Sequence, residues 1–568
     1  MKNISKILIV SVSALLLVSC SEDFLVRDPY GSTITEEQYS KMKNQLEGSM
    51  RGIYSTLSTY KLDASAHDEF GKRSLDMYTD LMSGDMALTD HKYGWFYSDE
   101  LGQGNTGRTG FIWTYFYGML RNVNSIIRTA QGGGAASADN VIKRIQNIGL
   151  PTNYDSKNTM YYNISAAGDT LAQYTEAEAQ IAFYYAQALT MRGYIYSNLL
   201  MLYCQTPSNI PDFSKQLCFP MYNENNMENA QPLAYMSDVY AQLESDLTEA
   251  IDYFEAFPTI TRGSKLEVDL PLAYAFLAYS YLNKGNPKGN KNGDVYKQAY
   301  TNARDYALKA IARTACTVLP FRDLYTTGFN DVNGGSWMWG QDVTTETTGG
   351  LATWFGQCDI HSYSYAWAGD TKAIDENLYK AIADSKEGHP FDARVYWFND
   401  GSSNSVYKYC PDGKFFSAQS PNSTKADDID REWLSDNVLM RVESMYLIAA
   451  EASYRLGNDN DAITYLTAIT DERVLPDLAA EYATYKAGLT HDNLLKEIYY
   501  NWRVEMWGEG YGLMTFRRLA AEVDSKRTRG GNHDGNPGSK MQASDEQIFV
   551  IPSAETSYNP SIKTTTLP

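Results

Sequence analysis

The sequence predicts a mainly α fold, in which helix hairpins form a scaffold and a loop-rich inserted region carries irregular and short-strand structure. Three observations lead there. Residues 437–474, NVLMRVESMYLIAAEASYRLGNDNDAITYLTAITDERV, hold two apolar stripes at helical spacing on either side of a Gly-Asn turn. Further amphipathic stretches of helical length recur between residues 36 and 313. After about residue 334 the periodicity fades, and Gly, Ser, Thr, Asp and Asn are dense up to residue 433.

The chain opens on Lys2 and Lys6, then the apolar run 7–18, then Ser19-Cys20. That run is shorter than the ~20 residues a spanning helix needs and has the layout of a secretory signal, predicted over 1–19. LVSC resembles the lipobox of bacterial lipoproteins, so Cys20 is the predicted lipidation site and mature N-terminus. Residues 1–19 hold two lysines and no acid, so without them the net charge of −20 becomes about −22. So acidic a surface argues against nucleic acid and anionic lipid headgroups as ligands. Five cysteines follow Cys20, at 204, 218, 316, 358 and 410. Cys204 and Cys218 bracket one loop and either form a disulfide or stay as buried thiols; their spacing leaves both open. No C-x-x-C, H-E-x-x-H or zinc-ligand spacing is present. No cofactor is expected, and a structural calcium ion is left open.

Helices are predicted over 37–57, 110–128, 176–203, 238–254, 270–282 and 295–313, with loops between them. Ala186 and Gly193 are thin spots on the long third helix. Most rings in these helices read as core. Asp80, Asp85 and Asp90 form a loose acid series that reads as a solvated loop. SWMWGQDV, near residue 340, reads as a short strand. Two stretches place rings in loop-like surroundings: KYGWFYSDE, with Tyr93, Trp95, Phe96 and Tyr97, and TWFGQCDIHSYSYAWAGD, with Trp354, Phe355, Tyr363, Tyr365 and Trp367.

The hairpin at 437–474 begins with a helix over 438–456, where Leu439, Val442, Tyr446, Ala449 and Leu456 share a face. Glu451 and Arg455, acid first and four apart, read as an exposed helix pair. Gly457 supplies a left-handed cap, and Ala462, Ile463, Leu466 and Ile469 mark the returning helix. Ala450 and Ala462 echo a tetratricopeptide unit, although Ser453 stands where an aromatic is usual. Two further blocks follow, LLKEIYYNWRVEMWGEGYGLMTFRRL and QIFVIPSAETSYNP.

Together the three blocks resemble the SusD/RagB family of surface glycan-binding lipoproteins. The matching positions are Arg441, Glu451, Arg455 and Gly457, then Arg503, Glu505, Glu509, Gly510, Arg517 and Arg518, then Ile551, Pro552, Glu555, Asn559 and Pro560. Trp502, Tyr511 and Gly512 depart from the family pattern. Upstream, Trp113, Tyr117 and Asn124 resemble the family's first scaffold helix. The resemblance implies a protein that is not an enzyme. It implies capture of an oligosaccharide or polysaccharide and its delivery to a SusC-like TonB-dependent transporter. It also implies a lipid-anchored place in the outer membrane, and Glu22 and Asp23 after Cys20 resemble the signal for display on the cell exterior. The expected organisation is a scaffold over 20–334, a loop-rich insert contributing to the ligand face over 335–435, and a C-terminal helical region over 436–568.

A pyranose has one face of C–H bonds and a rim of hydroxyls, so flat rings cover the face while polar groups bond the rim. The candidate ligand-binding residues are therefore Trp95, Tyr97, Trp354, Tyr363, Tyr365 and Trp367. No catalytic residue is expected, and the metal ligands are unknown. Two other readings compete. A glycan hydrolase would use a carboxylate pair such as Glu505 and Glu509, and a tetratricopeptide-type scaffold would bind protein in a groove without any sugar site.

Overall fold

In a computed structural model of the chain, the described residues are 45–58, 67–90, 92–93, 95–96, 107–132, 140–207, 210, 212–285, 293–384, 388–415, 434–535, 537–541 and 547–562. The chain divides into two compact units, Met1–Ser49, of which residues 45–49 are described, and Met50–Pro568. The fold is mainly helical with short strands.

The helix predicted over 37–57 is present as α1, Gln45–Thr56, its first residues lying outside the described part. α2, Lys72–Ser83, leads into β1, Met86–Leu88. α3, Gly107–Ala130, is pinned by Tyr117, whose hydroxyl donates to the Pro220 carbonyl at 2.7 Å, and by Asn124, whose amide donates to the Tyr222 carbonyl at 2.9 Å. The next stretch corrects the reading of 36–282 as helices and loops alone. β2, Asn153–Asp155, β3, Met160–Ile164, and β4, Thr170–Thr175, form an antiparallel meander. Tyr161 and Tyr174 face each other across β3 and β4 and pack on Phe257, while their strand neighbours are more exposed. Strands this short give little period-2 signal.

α4, Glu176–Tyr203, starts and stops at the predicted residues. Thr175 and Glu178 form a capping box, with the Glu178 N–H donating to Thr175 Oγ1 at 3.3 Å and the Thr175 N–H to Glu178 Oε2 at 2.8 Å. Gly193 is a thin spot as read. A Cβ there would stand 2.6 Å from Leu247 Cγ, so a glycine lets α5, Met236–Ala256, approach. Beside it, buried Arg192 is held by both oxygens of Asp246 at 2.7 Å. α6, Leu270–Lys284, and α7, Gly293–Arg313, form the next hairpin. Cys204, just past α4, is joined to Cys218 by a disulfide; Cys316, Cys358 and Cys410 are buried thiols.

The predicted strand is β5, Trp337–Gln341; α8, Trp354–Cys358, and β6, Lys372–Ile374, follow. β5 pairs antiparallel with β7, Asn437–Arg441. That pairing corrects the helix predicted over 438–456, because its first residues are strand and α9 runs only from Glu443 to Arg455. Every residue of β7 is buried. Apolar residues on both faces satisfy a helical stripe and a buried strand alike, and the ladder to β5 decides between them. α10, Asp459–Thr470, returns beside α9, and Gly457 between them sits at φ 77°, the left-handed cap read from sequence. α11, His491–Glu505, packs against the pair.

Buried charge holds these parts together. The Arg441 guanidinium, at the end of β7, donates to Glu505 Oε1 at 3.0 Å and Glu509 Oε1 at 2.7 Å, with Glu443 also 3.0 Å away. Arg473 and Arg394 reach Glu505 at 3.0 and 3.2 Å, Lys414 reaches Glu509 at 2.8 Å, and Asp392 holds Arg394 at 2.6 Å. All eight side chains are buried, four cations against four anions. Burial alone would raise the Glu505 carboxyl, but Arg473, Arg441 and Arg394 outweigh it and hold it well below the usual range. Burial pushes the Lys414 ammonium down to about 8 despite its acidic partners.

Two sequence readings change here. Glu451 is not half of an exposed pair with Arg455. It is fully buried, accepts from Arg518 at 2.6 and 2.9 Å and from the Trp502 indole at 2.9 Å, while Arg455 turns to Glu522. Nor do Asp80 and Asp85 lie in a solvated loop. Asp80, in α2, accepts the backbone N–H of Gly512 at 3.0 Å, and Asp85 accepts from Arg503 at 2.7 Å and Arg527 at 2.6 Å. Partners more than 400 residues away bury both acids, and no local pattern reveals them. Asp90 is exposed as expected.

Glu509→Ala leaves Arg441 and Lys414 without a carboxylate they share, and urea unfolding should show a loss of ~3–5 kcal/mol. Lys486→Ala, in an exposed pair with Asp471, should cost no more than ~1 kcal/mol. A second test concerns Asp80, whose carboxyl is raised to about 7 by burial and then by Asp76. The unfolded chain releases this proton near pH ~4. The proton therefore stabilises the fold fully below that pH and ceases to do so as pH rises to about 7. Asp80→Asn keeps an acceptor for the glycine N–H and cannot ionise. Denaturant titrations from acid to neutral pH should show the variant gaining on the natural protein as pH rises.

Candidate functional site

Two loops far apart in sequence leave the same end of a two-stranded ribbon. β1 pairs antiparallel with β6, Met86 opposite Ile374 and Leu88 opposite Lys372, and the Thr89 N–H continues the ladder to the Thr371 carbonyl at 3.0 Å. The chain after β1 therefore diverges beside the chain before β6. Phe96 anchors the first loop. It is fully buried against Phe70 and Tyr78 and held at φ 64°, a left-handed conformation that costs a non-glycine residue ~1–2 kcal/mol. The second loop is tied down by the Tyr365 N–H to Gly356 at 2.9 Å and the Trp367 N–H to Ser364 Oγ at 2.9 Å.

Rings from the two loops meet over His67. Its imidazole stacks on Trp95 with centroids 5.6 Å apart and planes 18° apart, and its Nδ1 lies 2.6 Å from the Tyr365 hydroxyl. Tyr93 stands edge-on to Tyr365 at 5.1 Å. Tyr363 and Trp367 form a second pair at 5.5 Å, and the Tyr407 hydroxyl donates to the Trp367 carbonyl at 3.2 Å. Tyr93 and Tyr363 are half exposed, at 50% and 51%, and Trp95, Tyr365 and Trp367 are partly buried. Gly369 permits a third tie between the loops. It adopts φ 94°, a Cβ on it would lie 2.3 Å from Lys92 Nζ, and that ammonium donates to the Ala368 carbonyl at 3.3 Å.

Beneath the rings lies a polar plug. The Gln357 amide donates to the His67 carbonyl at 3.0 Å and accepts from Lys372 Nζ at 3.1 Å, and Lys372 also reaches Asp370 at 3.2 Å. All three side chains are buried. They fix the backbone at His67 and in the second loop. At the surface, Lys92 lies 3.8 Å from Asp90, and the His361 ring lies 2.5 Å from the Asp412 carboxylate.

The structure thus brings Trp95 and Tyr365 together through His67, and places Tyr363 beside Trp367. Trp354 is a correction. It is fully buried, covered at 4.0 Å by the Arg73 guanidinium and edge-on by Phe415 at 5.0 Å, and offers no face to a ligand. The cause is the helix α8, whose cap, Thr353 Oγ1 accepting the Gly356 N–H at 3.0 Å, turns the ring inward from its start. Tyr97 and Cys20 lie outside the described residues. His67 and Lys92 carry no motif and are recognisable only once the loops are joined. Among the described residues, no group of three or more His, Cys, Asp or Glu side chains could hold a metal ion.

Residues 283–565 match the sequence profile of the SusD family. The chain belongs to the SusD family. Among curated protein sequences, none matches it. Its fold is similar to that of a SusD-like carbohydrate binding protein from Bacteroides vulgatus, 18% identical at a TM-score of 0.63, over 91% of this chain and 97% of the other. A SusD superfamily protein from Bacteroides thetaiotaomicron is 17% identical at 0.62, over 91% and 98%. Another from Bacteroides vulgatus is 15% identical at 0.64, over 91% and 97%.

The SusD-family motifs read from sequence fall in the scaffold rather than on the loop face. Arg441, Glu505 and Glu509 lie in the buried charge cluster, where arginines and Lys414 occupy both carboxyls and close them to any substrate. Asn559, in the last motif, donates to the Gln231 carbonyl at 3.0 Å and fastens the C-terminal segment to a distant loop. No helix among the described residues is long and apolar enough to cross a membrane.

Placement divides the rings into two classes. Trp354→Ala should destabilise the fold by ~3–5 kcal/mol, the range for a core aromatic. Tyr363→Ala, at a half-exposed ring, should stay within ~0.5 kcal/mol. Calorimetric melting of the two variants beside the natural protein checks both.

Proposed function

We propose that the chain captures an oligosaccharide or polysaccharide at the cell surface and delivers it to a SusC-like TonB-dependent transporter. In this reading lipid on Cys20 anchors the protein to the outer membrane, facing outward, and chemistry on the glycan belongs to other proteins. The observation that carries the sugar assignment is the juxtaposition of partly exposed rings from two distant loops, Trp95 with Tyr365 and Tyr363 with Trp367, on one ribbon end. Such rings cover the C–H faces of successive pyranose units, while the Tyr365 hydroxyl and Lys92, in the same loops, are the polar groups to bond hydroxyls. Membership of the SusD family and the likeness to a SusD-like carbohydrate binding protein support the same reading. Ring stacking contributes ~0.5–1.5 kcal/mol per contact, by analogy with aromatic pairs, so useful affinity needs several rings or avidity along a polymer. Tyr97 and the transporter contact belong to this proposal as expectations.

A glycan array identifies the ligand, and isothermal titration then measures its affinity for variants. Trp95→Ala and Trp367→Ala should each weaken binding about tenfold, since ~1.4 kcal/mol is one decade, and the double variant should fall below detection. Neither should melt as early as Trp354→Ala. Unchanged affinity in the double variant would falsify the loop site, and turnover of a labelled polysaccharide would replace capture with hydrolysis. Separately, Cys20→Ala should release the protein from the membrane fraction.

A further inference from the structure

The β1–β6 ribbon has a second end, marked by the Asp375 N–H donating to the Asp85 carbonyl at 2.9 Å. Past it opens a cleft of about 640 Å³, lined by Tyr499, Tyr500 and Arg503 of α11 and by His389, Phe391 and Tyr485 opposite. Its volume falls in the ~300–1,000 Å³ range of small-ligand sites. His389 stacks on Tyr500 at 3.9 Å, and with Tyr485 edge-on to His389 at 5.5 Å these rings form one aromatic wall of the cleft.

Arg503 gives the cleft its chemistry. Its Nε donates to Asp85 at 2.7 Å, its side chain is only 11% exposed, and its terminal nitrogens make no hydrogen bond among the described residues. The Asp524 carboxylate stops at 3.9 Å. A guanidinium whose Nε is bonded, and whose terminal nitrogens lie only within ion-pair reach of Asp524, keeps hydrogen-bond donors for a planar or tetrahedral oxyanion. Lys496 and Lys526 stand exposed at the rim with no partner among the described residues. The cleft's buried acids are engaged elsewhere. Glu497 accepts from His389 at 2.8 Å and Tyr485 at 3.1 Å, and Asp375 accepts from Gly530 at 2.6 Å and Leu378 at 2.9 Å. The lining as a whole is balanced, Asp375, Glu481, Glu497 and Asp524 against Lys496, Arg503, Lys526 and Arg527, so on a chain of net charge −20 positive charge in the cleft is confined to the Arg503 edge and the two rim lysines.

We propose that this cleft is a second saccharide site, for a sugar unit bearing a carboxylate or sulfate that seats on the outer edge of Arg503. The sugar ring packs against the half-buried Tyr485 and His389, and Lys496 and Lys526 close on the oxyanion from the rim. Only the sugar part rests on the glycan-capture reading; the oxyanion part stands on Arg503 itself. Because the rest of the surface is acidic, attraction is local and falls with ionic strength.

Trigalacturonate, a sulfated disaccharide of the chondroitin type and a neutral galactan trimer are the probes. Binding is read by calorimetry, and occupancy by protection of lysine amines from acetylation, located by mass spectrometry. Lys496→Gln/Lys526→Gln removes two exposed charges without disturbing a buried partner. At least one acidic probe should bind, protect Lys496 and Lys526, and bind about tenfold more weakly to the double variant. The same protection should persist in Trp95→Ala/Trp367→Ala, and the probe that binds tells carboxylate from sulfate. Acidic binding that vanishes with the loop rings and leaves both lysines unprotected overturns the second site and leaves the loop site standing. Lysine protection with binding indifferent to the loop rings supports the second site and counts against the loop reading. Equal protection by the neutral trimer, or protection by none of the probes, overturns the proposal.

Discussion

A guanidinium shut away from water must be met by acceptors on every side, and at Arg441 that requirement gathers parts of the chain that nothing local would bring together. Arg441 ends the strand that pairs with Trp337–Gln341 and meets Glu505 and Glu509 at the end of α11 and just beyond it. Arg473, Arg394 and Lys414 complete the set. Removing two opposite charges from water costs several kcal/mol per ion, and only a full complement of partners offsets it. The balance of cations and anions is thus a constraint on the fold, since any one carboxylate lost strands a buried cation.

This cluster also explains how a long loop-rich stretch can carry a site. The described residues between 335 and 415 are clamped at their start by β5 against β7 and from within by Arg394 and Lys414, both in the cluster. Between those clamps the Tyr363–Trp367 loop needs only its ribbon to β1 and the Gln357–Lys372 plug to hold its place. On the other strand, Asp85 immediately precedes β1 and is held by Arg503 and Arg527. The ribbon that positions the aromatic loops is therefore moored to the helical scaffold through buried ions at one end and presents rings at the other. Rigid support beneath exposed rings lowers the ordering cost that a flexible loop would incur on binding a weak ligand.

The helical scaffold was legible because its signals are local. The start of Glu176–Tyr203 is marked by the Thr175–Glu178 capping box, and the left-handed Gly457 follows from its place between two apolar stripes. Where the reading missed, the deciding interaction was distant. The strand at 437–441 has a helical stripe but a partner a hundred residues upstream, the meander of Asn153–Thr175 is built from strands too short to show a period, and Glu451 meets Arg518 rather than Arg455. The candidate loop face was half legible. Aromatic density in loops picked out Trp95, Tyr363, Tyr365 and Trp367, but density alone could not separate them from Trp354, which the same loop folds into the core. His67, which joins the two loops, carries no sequence signal at all.

The most direct measurement is a crystal structure of the protein with its array-selected oligosaccharide. The account predicts a chain of sugar units laid across the ring pairs Trp95–Tyr365 and Tyr363–Trp367, with the β1–β6 ribbon and the buried charge cluster unmoved. Sugar density found only away from these loops, with the rings left bare, would contradict it.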